Sequence, residues 1–192
     1  MDRPPSGSDR ARSSHNLFFA LWPDESVRAG IEAAARVLER THAPRGRWIK
    51  PPRYHLTLRF LGEFARLPDD LVAAACDAGD RVRADAFGFS LDVAGSFANR
   101  HIPWWLGCRD RVDALVALRN GIADGLRANG QPLADRESEP VAHVTILRDA
   151  DRPLPPTPIA PIEWPVDAFV LIDSELGPRP RYAMLRRWPL PK

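Results

Sequence analysis

The chain has 192 residues, 44% of them hydrophobic and 27% charged, with a formal net charge of +2. That length can bury a full core, as one compact domain or as two small lobes sharing a core, and the composition is that of a globular protein. So small a positive surplus excludes the dense basic stripe of a strong nucleic-acid binder but leaves room for an anion held by a few local arginines.

Residues 1–14 are polar, rich in Ser, Pro and Arg, and read as a flexible tail; no apolar stretch there has the make-up of a secretion signal. Leu17 to Leu21 is a short apolar run that suits a buried strand. Asp24 can cap a helix that turns Val27, Ile31, Ala34, Ala35 and Leu38 inward. A turn at Pro44-Arg45-Gly46 leads to Trp48-Ile49, and after Pro51-Pro52 comes a strand from Tyr54 to Leu61. A second helix starts near Pro68-Asp69 and carries Leu71, Ala74, Ala75, Ala78 and Val82 inward. Phe87, Phe89, Leu91 and Val93 alternate as in a half-buried strand, and Ile102 to Cys108 makes another. Asp110 is placed to cap a third helix, with Leu115, Leu118, Ile122 and Leu126 inward and Gly130 as its stop. Val141 to Leu147 is again strand-like. The proline-rich piece Pro153 to Pro165 cannot be a central strand and should wrap the surface, before two last strands at Ala168–Asp173 and Arg181–Arg187. Interleaved strands and helices without strict alternation point to an α+β fold with mainly antiparallel sheet. No segment approaches the ~18 apolar residues of a membrane span. The two cysteines, Cys76 and Cys108, have no metal-ligand spacing and read as buried free thiols.

Two triplets carry the chemistry: His55-Leu56-Thr57 and His143-Val144-Thr145. Random placement of five histidines and four threonines gives about 0.1 such triplets, so two within apolar strand patterns stand out. Along a strand, residues i and i+2 share a face. Each His therefore projects with its Thr, while Leu56 and Val144 turn into the core. An offset of 88 positions lays His55 on His143 and Thr57 on Thr145, and Val27, Ala34 and Leu38 on Leu115, Ile122 and Leu126, which supports a duplicated lobe. Two strands facing one cleft would supply two imidazoles that titrate near neutrality and two hydroxyl donors. That is equipment for cleaving a phosphodiester without a metal: one imidazole takes a proton from water, the other gives one to the leaving oxygen. A zinc site would need a third or fourth ligand, and no Cys, Asp or Glu sits beside the motif histidines.

Strand parity puts Arg59 with His55 and Thr57, as a phosphate contact or a solvated edge residue. Trp48, Phe60 and Tyr182 are candidate stacking faces for a base, with core packing the expected role of each. His15, His42 and His101 lack a partner pattern and read as exposed. Trp104 and Trp105 cannot both face the core, so one lines a cleft or the surface.

Gly46-Arg47-Trp48-Ile49 with Tyr54-His55-Leu56-Thr57-Leu58-Arg59-Phe60-Leu61-Gly62-Glu63, and Ala142-His143-Val144-Thr145-Ile146-Leu147-Arg148, resemble the two motif regions of the RNA 2',3'-cyclic phosphodiesterases, also called 2'-5' RNA ligases, of the 2H phosphoesterase superfamily. Leu17-Phe18-Phe19-Ala20-Leu21, Trp105-Leu106-Gly107, Ser174-Glu175-Leu176 and Tyr182 to Leu190 are similar to that family as well, in the family's order over residues 16–190. The resemblance implies a bilobal α+β fold over 15–192, two pseudo-symmetric lobes of mainly antiparallel sheet with flanking helices around a central cleft. It implies a monomer in the cytoplasm, acting on RNA or oligonucleotide ends that carry 2',3'-cyclic phosphate, with no metal, no other cofactor and no membrane partner. His55 would be the proton donor to the leaving 3'-oxygen and His143 the acceptor from water, with Thr57, Thr145 and Arg148 on the phosphate and 2'-5' ligation as the reverse path. Two rivals stand beside this: a relative acting on a small cyclic or 2'-5' nucleotide, and a non-catalytic module that binds RNA ends. Ala142 stands where the family has Pro, and Pro180 where it has Gly. Parity alone sets Arg148 opposite His143 and Thr145, so its phosphate role needs a bend or bulge near Leu147.

Overall fold

A computed structural model describes residues 14–98, 100–131, 141–177 and 181–192. The tail read at 1–14 lies, apart from Ser14, outside the described residues, as do Pro140, Arg179 and Pro180. The elements run β1 (Ser14–Leu21), α1 (Glu25–His42), β2 (Arg47–Trp48), β3 (Leu56–Phe64), α2 (Asp69–Arg81), β4 (Phe87–Ser96), β5 (Ile102–Gly107), α3 (Asp113–Ala128), β6 (His143–Ala150), β7 (Thr157–Val166), β8 (Ala168–Leu176) and β9 (Arg181–Pro189). The strands form one sheet in the order β7-β4-β5-β6-β3-β1-β8-β9, with β2 added beside β6 and every pairing antiparallel.

This order is symmetric about the β3/β6 seam, where β3 and β6 meet through a single residue pair, Leu56 with Val144, and β2 of the first half adds two more pairs to β6. The 88-residue offset carries the start of α1, Glu25, onto the start of α3, Asp113, and sets β1 against β5 and β3 against β6. Each half thus repeats a first strand, a helix and a motif strand. The helices tie the halves together: α1 packs against β7, while α3 packs against β3 and α2.

All three helices cover one face of the sheet. There Leu17, Phe19, Leu21, Leu56, Trp104, Val144, Phe169 and Leu171 join Ile31, Leu38, Leu118 and Ile122 in a continuous core. The opposite face carries a smaller apolar cluster of Phe18, Ala20, Val170 and Ile172, edged by Trp22 and Tyr182. Asp24 accepts from the Val27 amide at 2.8 Å and starts α1 as expected.

Two expectations about elements change. The proline-rich stretch is a strand from Thr157 to Val166, at the outer edge of the sheet beside β4. An edge strand tolerates prolines because one side of its backbone needs no partner, and the register breaks where Pro161 would pair. The third helix begins at Asp113, and Asp110 is not its cap: Val112 holds that position without a side-chain bond.

Candidate active site

The seam brings both triplets together. Leu56 and Val144 lie fully buried beneath it, and a cleft of about 280 Å³ above is lined by His55, Thr57, His143, Thr145 and Arg148, with Arg47, Arg53, Leu176 and Tyr182 around them. All five residues singled out for the site meet in one place. A larger hollow of about 480 Å³ lies elsewhere, walled by Asp80, Trp188, Leu190 and neighbours. It holds no histidine, so convergent chemistry, not size, selects the cleft.

Each histidine is held in the same way. The Nδ1–H of His55 donates to the Arg53 carbonyl at 2.8 Å, and that of His143 to the Val141 carbonyl at 2.7 Å. A carbonyl only accepts, so Nδ1 carries the proton and Nε2 is left as the working nitrogen of both rings. The shared reach to the residue two positions back shows that Ala142, in place of Pro, leaves the second histidine seated like the first.

The walls differ. His55 stacks on Phe18 at 4.9 Å between centroids, lies parallel to Trp22 at 6.0 Å and meets the edge of Tyr182 at 5.6 Å. His143 meets Phe97 edge-on at 4.9 Å, with Trp105 at 6.5 Å. Burial against these rings lowers the His55 pKa to about 4; its carbonyl bond opposes the shift, and the charges of Arg148, His143 and Arg53 add to it. His143 is lowered as well, first by burial and also by the Arg119 charge, against the pull of its bond to Val141. Both shifts favour the neutral imidazole. Arg119, reaching from α3, donates to the Thr57 carbonyl at 3.3 Å and so ties that helix to the backbone of the first motif.

Arg148 reaches the cleft through a bulge. Trp105 pairs with Thr145 but Trp104 pairs with Leu147, so Ile146 is the extra residue. Ile146 and Leu147 are both fully buried in succession, and the next residue, Arg148, returns to the face of His143 and Thr145. The same bulge sits at the equivalent place in the first half. Ala20 pairs with Thr57 and Phe19 with Arg59, leaving Leu58 extra. Arg59 thus joins the helix-covered face of Phe19 and does not line the cleft. Phe60, the counterpart of Arg148 at the 88-residue offset, turns to the face of Phe18 and is 46% exposed, not packed in the core.

Other expectations sort similarly. Trp104 is fully buried and Trp105 takes the other face, as two consecutive residues must. Trp48 packs on the core beside Trp104. Tyr182, expected in the core, lines the cleft. His15 is not exposed: it is partly buried and bonds to the buried Asp173 at 3.0 Å. Arg53, Trp22 and Phe97 are residues at the site that the sequence pattern did not single out. Cys76 and Cys108 are partly buried free thiols. Among the described residues, no group of three or more His, Cys, Asp or Glu side chains converges as a metal site would need, and no helix is long and apolar enough to cross a membrane.

Known proteins are similar to this chain in sequence and fold. The family model described as LigT-like phosphoesterase matches residues 21–105. A Thermus thermophilus protein named RNA 2',3'-cyclic phosphodiesterase is 34% identical, over 91% of this chain and 89% of its own length. An Escherichia coli protein of the same name is 33% identical, over 91% of this chain and 96% of its own. The crystal structure of Escherichia coli LigT in apo form superposes with a TM-score of 0.74 at 31% identity, covering 94% of this chain and 99% of that one. The likeness extends to the architecture: a mainly antiparallel sheet with three helices.

Proposed function

The chain belongs to the LigT-like phosphoesterase family, and we propose that it is an enzyme that hydrolyses the 2',3'-cyclic phosphate at an RNA end to a 2'-phosphomonoester by acid/base catalysis between two histidines. The observation that carries this reading is the convergence of both His-x-Thr triplets and Arg148 on one cleft, with each Nδ1 committed to a carbonyl and each Nε2 left to work. The names of the relatives support the substrate class.

In the proposed reaction the Nε2 of His143 takes a proton from a water that attacks phosphorus. The bond from phosphorus to the 3'-oxygen breaks, and that oxygen receives the proton on Nε2 of His55. Thr57, Thr145 and Arg148 hold the non-bridging oxygens, where negative charge builds up. If the 5'-hydroxyl of another RNA replaces water, the same two proton transfers give a 2'-5' linkage. No step calls for a metal or a nucleotide cofactor.

The lowered pKa values add one requirement. A His55 pKa lowered to about 4 disfavours the protonated ring at pH 7, so His55 must take up its proton from solvent as the anionic substrate binds. The anionic phosphate favours the charged imidazolium and offsets the nearby guanidiniums. Both histidine pKa values therefore rise on binding. The pH profile of kcat/KM, which reports the free protein, should peak below pH 6.5, and that of kcat, which reports the complex, should peak at higher pH. Coincident profiles would show that the phosphate does not supply the shift.

The reaction itself is tested by incubating the protein with a short oligoribonucleotide ending in 2',3'-cyclic phosphate and identifying the product by phosphorus NMR. A 2'-phosphomonoester is expected. A 3'-phosphomonoester would mean that the other ester bond breaks, and an unchanged substrate would refute the reading.

A further inference from the structure

A terminal cyclic phosphate carries one negative charge, yet the cleft is lined by three guanidinium groups, Arg47, Arg53 and Arg148, and by no carboxylate among its described lining residues. Two of the three have evident partners. Arg148 shares its face with His143 and Thr145, where the reacting phosphate is held. Arg47 points to Asp149, with 3.5 Å between Nη2 and Oδ2. Arg53 is different: its guanidinium lies over the Tyr182 ring, 4.9 Å from the centroid, and its main-chain carbonyl holds His55.

A guanidinium held over an aromatic face is restrained there by its attraction to the ring, and it keeps a planar fork of N–H donors. Such a fork suits two oxygens of a phosphate. The base of the terminal nucleoside cannot use the ring face that Arg53 covers. From these positions we infer that Arg53, seated on Tyr182, binds the internucleotide phosphate on the 5' side of the terminal nucleoside. The cleft then selects an oligonucleotide end over a cyclic mononucleotide. This rests on the phosphodiesterase reading above and names its substrate more closely. The main chain of Arg53 orients one histidine while its side chain reads the presence of a preceding nucleotide.

The test measures binding rather than turnover. The full chain is titrated with cytidine 2'-monophosphate, with the dinucleotide CpC bearing a terminal 2'-phosphate, and with the same dinucleotide carrying a neutral methylphosphonate linkage. The charged dinucleotide should bind about tenfold tighter than the mononucleotide, as one charge-assisted contact provides. The neutral dinucleotide should bind like the mononucleotide. In R53Q the tenfold advantage should shrink to less than about threefold, and R53K should restore part of it. Equal affinities for mononucleotide and charged dinucleotide, an advantage that survives the neutral linkage, or one that survives R53Q would each overturn the inference. Loss of turnover on cyclic substrates with this pattern intact would instead refute the phosphodiesterase reading and leave the second phosphate site standing.

Discussion

Replacing His143 with alanine should lower kcat on a 2',3'-cyclic phosphate end by about 10²–10⁴-fold, and replacing His55 should do the same, because each removes one of the two proposed proton transfers. The double variant should be little worse than either single one, since acid and base act as a unit. KM should change far less than kcat, because Thr57, Thr145 and Arg148, the proposed phosphate contacts, still line the cleft in both variants. The cause lies in the seating of the rings. Each Nδ1 is committed to a backbone carbonyl, so an asparagine or glutamine in place of either histidine could bond there but could not exchange a proton at the position of Nε2. Steady-state kinetics on the purified variants checks this, with circular dichroism to show that the fold persists.

The second large effect concerns stability. Trp104 is fully buried under the second motif strand, donates its indole N–H to the Arg152 carbonyl at 2.9 Å and meets Trp48 and His42 edge-on. Trp104→Ala should cost about 3–5 kcal/mol through lost burial and the cavity left behind. Thermal melting should show a fall in Tm of roughly 10 °C. Its neighbour Trp105 faces the cleft side, against Phe97 and His143. Trp105→Ala should leave the Tm nearly unchanged and instead reduce kcat/KM by about tenfold, because His143 loses a wall that fixes its ring. The opposite outcome for the pair would mean that β5 is turned over in solution.

Much of this was legible in the residues, for physical reasons that can be named. The three helices follow from apolar spacing. The pairing of His55 with Thr57 and of His143 with Thr145 follows from strand parity, because no bulge intervenes between the members of either triplet. The duplication shows as an 88-residue offset that the sheet order then repeats about the seam. Parity fails one step further on. It assigns Arg59 to the cleft and Arg148 away from it, and the structure reverses both with one device, an extra residue at Leu58 and at its counterpart Ile146. A bulge leaves no mark in residue type when its extra residue is an ordinary buried aliphatic. The same slip explains why Phe60 is exposed.

Arg53 is not singled out by the sequence pattern, and Tyr182 is expected in the core, for a different reason. They come from a tight turn before β3 and from the last strand, and only the antiparallel return of β9 along β8 brings them together. Local spacing cannot report a contact between residues so far apart in the chain. The edge position of β7 is similar: its prolines exclude a central strand, but whether they mark a loop or an edge depends on what β4 leaves unpaired.

The central claim is that two imidazoles at the seam, and no metal ion, move the protons. The most direct measurement is turnover of an oligoribonucleotide ending in 2',3'-cyclic phosphate by the native protein and by His55→Ala and His143→Ala, each with and without EDTA. Native turnover that is unchanged by EDTA and lost in both variants is the predicted result. Abolition by EDTA, or full activity in either single variant, would contradict it.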